Sequence, residues 1–171
     1  MNKLTLWLAI LSAILLNALS STANANTIHS ERSLYRNILV EENNGLRCLK
    51  FNVKSTKTQQ SCMLVNQPQQ LVFNYTKMLF SSLLLNPNPE RILIIGLGYG
   101  SMSNALHEIF PSANITNVEI DPAVIKVARS YFNFIENEQV NAIVQDGRIF
   151  VKRATIKKQQ YDWIILDAFN G

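Results

Sequence analysis

The sequence predicts an α/β chain, with a small N-terminal β-meander followed by a parallel sheet that has helices between its strands. Three observations lead there. From Arg91 onward, short apolar runs alternate with helix-patterned segments across brief links, which is the pattern of parallel strands joined by crossovers. The first run, Arg91-Ile92-Leu93-Ile94-Ile95, is apolar at successive positions, as a strand buried on both faces requires, and it enters Gly96-Leu97-Gly98-Tyr99-Gly100 directly. Upstream, from Arg32 to about Phe73, the pattern is strand-like, with turn chemistry between short apolar segments.

The chain has 171 residues, enough for one domain with a small appendage. Its start is read apart from the fold. Lys3, the apolar run from Leu4 to about Leu19, and Ala23-Asn24-Ala25 follow the order of a secretory signal over residues 1–25, cut after Ala25. The other reading is an uncleaved membrane anchor, but the run is short for a span and carries Asn17. The expectation is an exported protein, periplasmic or secreted, with no stable membrane span once the signal is removed. The net charge is +4, and the basic residues are scattered apart from Lys152-Arg153 and Lys157-Lys158. Such pairs belong to solvated faces, so no nucleic-acid partner is expected. Cys48 and Cys62, with His29 and His107, are too few for a zinc site, so no metal is expected. In an exported protein the two cysteines are either one disulfide or two half-buried thiols.

Residues 26–72 read as the β domain. Its strands are expected at Asn37-Ile38-Leu39-Val40, from Leu46 to Val53 and from Ser61 to Val65, making a meander of about three strands. Leu49, Phe51 and Val53 share one face, which puts Cys48 on the other; Met63 and Val65 likewise put Cys62 on the other face. A turn near Ser55 sets the cysteines opposite each other, about 4.5–5.5 Å apart at Cα, a span that a disulfide bridges. Alone, the meander buries little core and should pack on the rest of the chain or on another subunit.

Residues 73–171 read as an incomplete Rossmann-like domain. A helix from Leu71 to Leu85 opens it and is stopped by Asn86-Pro87-Asn88-Pro89. Strands follow from Arg91 to Ile95, Ile115 to Ile120, Val140 to Gln145 and Tyr161 to Leu166. Helices are expected from Ser101 to Phe110, from Pro122 to about Phe132 and from Gly147 to about Ala154. Asp121 is the N-cap of the second of these helices, with Pro122 at its first position.

The chemistry gathers at the strand ends. Gly96, Gly98 and Gly100 let the backbone turn tightly and let a ligand approach the main chain. Ser101 breaks the G-x-G-x-x-G fingerprint, which disfavours a nicotinamide dehydrogenase. Glu119 lies about 20 residues on, where an acid accepts hydrogen bonds from both ribose hydroxyls. Asp146-Gly147 follows the third strand, and Asp146 is either an acceptor for an adenine amine or a helix N-cap. Asp167 ends the fourth strand, as a general base, a contact for a cationic group, or a turn former.

Four segments in order resemble the spermidine/spermine synthase family: Ile92-Leu93-Ile94-Ile95-Gly96-Leu97-Gly98-Tyr99-Gly100-Ser101, Val118-Glu119-Ile120-Asp121-Pro122, Gln145-Asp146-Gly147-Arg148 and Tyr161-Asp162-Trp163-Ile164-Ile165-Leu166-Asp167. Tyr35, Gln60 and Tyr75 stand at familiar spacings upstream, and the resemblance covers about Leu34 to Gly171. It implies a class I methyltransferase-like domain with strand order 3-2-1-4. The implied ligand, a substrate, is S-adenosylmethionine or its decarboxylated form. In polyamine biosynthesis the latter gives its aminopropyl group to a diamine. The family's sheet continues past a fourth strand. The resemblance therefore predicts an open edge at Trp163-Ile164-Ile165-Leu166, in a fragment, a truncated product or one half of an assembly. A homodimer through the β domain or this edge is the protein partner expected beside the nucleoside ligand.

The departures concern the amine. The family's acid within the glycine loop, which grips the aminopropyl ammonium, is replaced by Tyr99. The acid pair after the fourth strand is Asp167 and Asn170, the Tyr-Gln of the β domain is Tyr35-Arg36, and a glutamate two residues after Tyr75 is Lys77. Acids are lost and cations gained where a dicationic amine would sit. The resemblance thus implies a spermidine synthase-like protein with its nucleoside set intact and aminopropyl transfer disfavoured. The alternatives are a methyltransferase using S-adenosylmethionine itself and a non-catalytic remnant.

Overall fold

In a computed structural model of the protein, the structure describes residues 25–51 and 59–168. The expected signal, the turn near Ser55 and Asn170 lie outside the described residues.

The N-terminal sheet is antiparallel, in order β1-β2-β3-β4, with β1 Asn26–Arg32, β2 Asn37–Asn43, β3 Leu46–Phe51 and β4 Gln59–Leu64. A two-residue turn at Asn44 (φ 50°) and Gly45 (φ 76°) joins β2 to β3, since a tight hairpin needs left-handed residues. The meander therefore has four strands, not three. The unexpected β1 has a single aliphatic residue, Ile28, and gives little periodic signal. It is held by pairing with β2 and by contacts to a distant helix, which a local pattern does not reveal. Cys48 and Cys62 are directly paired across β3 and β4 and joined as a disulfide. Their Cα atoms are 4.1 Å apart, closer than expected, beside an irregular register between Leu49 and Lys50.

The second sheet is parallel, with β5 Arg91–Ile95, β6 Asn114–Glu119, β7 Val140–Val144 and β8 Trp163–Leu166. Its order, β7-β6-β5-β8, is the expected 3-2-1-4. Between the sheets in sequence lies α1, Asn74–Leu79, followed by a 3₁₀ stretch, Phe80–Leu84. The expected helix from Leu71 to Leu85 is thus shorter and tightens at its end. The Ser81 and Ser82 hydroxyls donate to the carbonyls of Met78 and Leu79, competing with the α-helical ladder. The remaining helices are α2 Ser101–Ile109, α3 Pro122–Tyr131 and α4 Gly147–Ile156. β8 starts at Trp163 rather than at Tyr161, because the Asp162 carboxylate turns back to accept from the Glu90 and Arg91 amides.

Two apolar clusters organise the molecule. One joins Ile92, Ile94, Ile115, Val140 and Ile165 of the parallel sheet to Met102 and Leu106 of α2 and Ile125 and Ala128 of α3. The other joins Ile38, Val40, Leu49 and Met63 of the meander to Tyr99, Phe132, and Val124 and Val127 of α3. Val124 and Val127 thus pack on the meander and Ile125 and Ala128 on the parallel sheet, so α3 stands between the sheets. Polar contacts repeat this attachment. Arg47 donates to the Tyr131 carbonyl at 2.6 Å, Lys126 pairs with Glu31 at 3.2 Å, and the Tyr131 hydroxyl meets His29 at 3.2 Å. The meander thus covers one end of the Rossmann-like sheet. β8 is the sheet's outer strand, with Ile164 and Leu166 exposed.

Candidate functional site

A cleft of about 430 Å³ opens where β5, β6, β7 and β8 end. Gly96 and Gly98 form its floor, Glu119 and Ile120 one wall, and Asp146, Gly147 and Arg148 the corner after β7. Asp167 and Ala168 close the far side with Tyr75 of α1, while Arg36, Phe51 and Ser61 of the meander form the roof. The roof residues Phe51 and Ser61 carry no sequence signal, because their approach depends on how the two sheets dock.

The loop glycines answer first to the protein itself. A side chain on Gly96 (φ +94°) would put its Cβ 2.4 Å from the Asp167 carbonyl oxygen, and one on Gly100 would meet the Phe134 ring at 2.5 Å. At Gly98 (φ +56°) the obstacle is the Ser61 hydroxyl, at 2.9 Å, and at Gly147 it is Ile95, at 2.5 Å. The glycines thus bring β8, α4 and the meander close enough to enclose the cleft.

Glu119 ends β6 at 8% exposure. One carboxylate oxygen accepts from the Leu97 amide and the other from the Asp121 amide, each at 3.0 Å. Burying a carboxylate demands such donors. Asp121 is fully buried, caps α3 through the Ala123 amide, and accepts from the Ser33 hydroxyl.

Asp146 caps α4 through the amides of Arg148 and Ile149 and is paired with the Arg148 guanidinium at 2.9 Å. The hydrogen bonds from Arg148 lead in drawing its carboxyl down to about 2. Asp167 follows β8, and burial raises its carboxyl to about 6 despite the opposing hydrogen bond from the Tyr75 hydroxyl. Burial, with the neighbouring Asp167 charge, pushes the Tyr75 phenol upward as well.

Three positions expected around the amine lie elsewhere. Tyr99 is 3% exposed and points into the meander cluster, its ring 5.1 Å from that of Phe132. An aromatic at this position finds an apolar partner where an acid would find none. Lys77 is exposed and lines a separate groove with Phe80 and Glu108, because α1 turns that face away from the cleft. Tyr35 lies in the exposed turn between β1 and β2, beside Pro122. Of the replaced positions among the described residues, Arg36 alone brings a charge to the cleft.

Comparison with known families matches residues 72–170 to the spermine/spermidine synthase domain. The chain belongs to this family. Among its relatives, a polyamine aminopropyltransferase of Vibrio vulnificus (strain CMCP6) is 42% identical over 96% of this chain and 56% of its own length. This family member spans about half the length of the curated relatives it matches. Its fold is that of a spermidine synthase solved in complex with the transition-state analogue AdoDATO. That structure has a TM-score of 0.66 and is 24% identical over 84% of this chain and 47% of its own. Human methyltransferase-like protein 13, solved in complex with SAH, has a TM-score of 0.53 and is 28% identical over 58% and 49% of the two chains.

Proposed function

We propose that the cleft binds S-adenosylmethionine or its decarboxylated form, with the ribose on Glu119. The observation that carries this reading is the Glu119 carboxylate, buried at a strand end and fixed by two backbone amides. Each oxygen already holds one donor and retains acceptor capacity, which suits two adjacent hydroxyls. The adenine is assigned to the corner at Asp146 and Gly147, and the sulfonium end to Tyr75 and Asp167. The nucleoside ligands of the two solved neighbours support the assignment.

Asp167, with its carboxyl near 6, suits a group that takes a proton from an acceptor at neutral pH. Aminopropyl transfer to a diamine is not favoured, because the cleft has Arg36 in its roof and Tyr99 supplies no acid to it. Methyl transfer from S-adenosylmethionine is the second reading, and the kinship with methyltransferase-like protein 13 favours it.

Calorimetry tests the ligand assignment. Glu119→Ala should weaken S-adenosyl binding by about 1.5–3 kcal/mol, as for a lost charged hydrogen bond. Equal affinity in wild type and variant would remove Glu119 from the site.

A further inference from the structure

Arg36 is the one cation in the cleft that no acid neutralises among the described residues. Arg148 is paired with Asp146, both Glu119 oxygens hold amides, and Asp167 is bonded to Tyr75. The Arg36 Cζ lies over the Phe51 ring, 4.4 Å from its centroid. Stacking of this kind occupies the face of a guanidinium and leaves its N–H edge for an acceptor. The backbone behind it is fixed. The Arg36 amide donates to the Ser33 hydroxyl oxygen at 3.0 Å, and that hydroxyl donates to Asp121, two residues beyond Glu119. The Arg36 backbone is therefore tied to the segment that follows Glu119, and Phe51 holds the guanidinium.

An S-adenosyl ligand exists in two forms that differ at its tail. The decarboxylated form ends in an ammonium alone, whereas S-adenosylmethionine carries an ammonium and a carboxylate. A planar guanidinium fork matches a carboxylate and repels an ammonium. We propose that Arg36 is a specificity determinant that pairs with the ligand's α-carboxylate, so that the cleft selects S-adenosylmethionine over its decarboxylated form. This rests on the S-adenosyl reading of the cleft. It removes the aminopropyl donor at the level of binding, before any acceptor is considered.

Calorimetry on the full chain uses three probes: S-adenosylmethionine, its decarboxylated form, and methylthioadenosine, which lacks the amino-acid tail. The wild type should prefer S-adenosylmethionine to the decarboxylated form by at least about tenfold, the scale of one charge-assisted pair. Arg36→Gln should abolish that preference and change methylthioadenosine affinity little, while Arg36→Lys should keep part of it. Equal wild-type affinities, a preference that survives Arg36→Gln, or a parallel loss of methylthioadenosine binding would each overturn the assignment. Failure of all three probes to bind the wild type would remove the S-adenosyl reading itself. Binding of methylthioadenosine without discrimination between the other two would remove Arg36 alone.

Discussion

Gly98 and Ser61 offer a direct measure of how the meander seats on the glycine loop. Alanine at Gly98 would adopt φ +56°, the left-handed region, at about 1–2 kcal/mol. Its Cβ would also stand 2.9 Å from the Ser61 Oγ. That hydroxyl can yield by leaving its rotamer, for about 0.5–1.5 kcal/mol. Gly98→Ala should thus destabilise by about 2–3 kcal/mol. Ser61→Ala removes the obstructing oxygen and leaves the Ser61 Cβ 4.0 Å away, an ordinary contact. In the double variant the steric part disappears and the backbone part remains, so the two changes should couple by about 1 kcal/mol in the direction of rescue. Independent sites add to within about 0.3–0.5 kcal/mol, so the effect is resolvable. Urea unfolding of the four proteins, compared at matched m-values, measures it. Strict additivity would mean that Ser61 does not cover Gly98 and that the roof of the cleft is misplaced. Gly96 is the contrast. The atom that an alanine would meet there belongs to the Asp167 backbone, and no side-chain truncation can relieve it.

Two further outcomes are expected. Reducing the Cys48–Cys62 bond, which closes a loop with a sequence separation of 14, should lower stability by up to about 3 kcal/mol, and reductant without effect on the urea midpoint would argue against the bond. Asp167 has its carboxyl raised from 3.8 to about 6, so its contribution to stability is full below the unfolded value and is lost as pH rises through 6. Asp167→Asn should therefore gain on wild type between pH 4 and pH 8. The shift corresponds to about 3 kcal/mol, reduced to roughly half by water in the cleft. A difference in melting temperature that stays flat across this range would show that the carboxyl is not raised.

The parallel sheet was legible because β5 and β8 are short continuous apolar runs, and β6 and β7 fall between helix-patterned segments with turn chemistry at their ends. Arg91–Ile95 and the glycines after it needed no tertiary information, nor did the capping Asp121-Pro122. The facing of Cys48 and Cys62 followed from the two-residue period of a strand. What escaped depends on contacts between distant segments. β1 is mostly polar and exists because β2 and α3 hold it. Lys77 occupies the position its spacing suggests, but α1 rotates it out of the cleft, and spacing alone does not give a rotation. Tyr99 shows the same limit, since its place in the loop is readable from the sequence while the direction of its ring is decided by Phe132 and the meander.

Tyr99 also ties the glycine loop to the fastening of the two sheets. Its ring belongs to the cluster that fastens the meander to α3, although its backbone belongs to the loop under the cleft. A carboxylate in the place of that ring would sit among Ile38, Leu49, Met63 and Phe132, a cluster that holds no cation among the described residues. A change at Tyr99 made to alter the ligand would therefore also loosen the seating of the meander, so binding and folding are coupled at this one side chain.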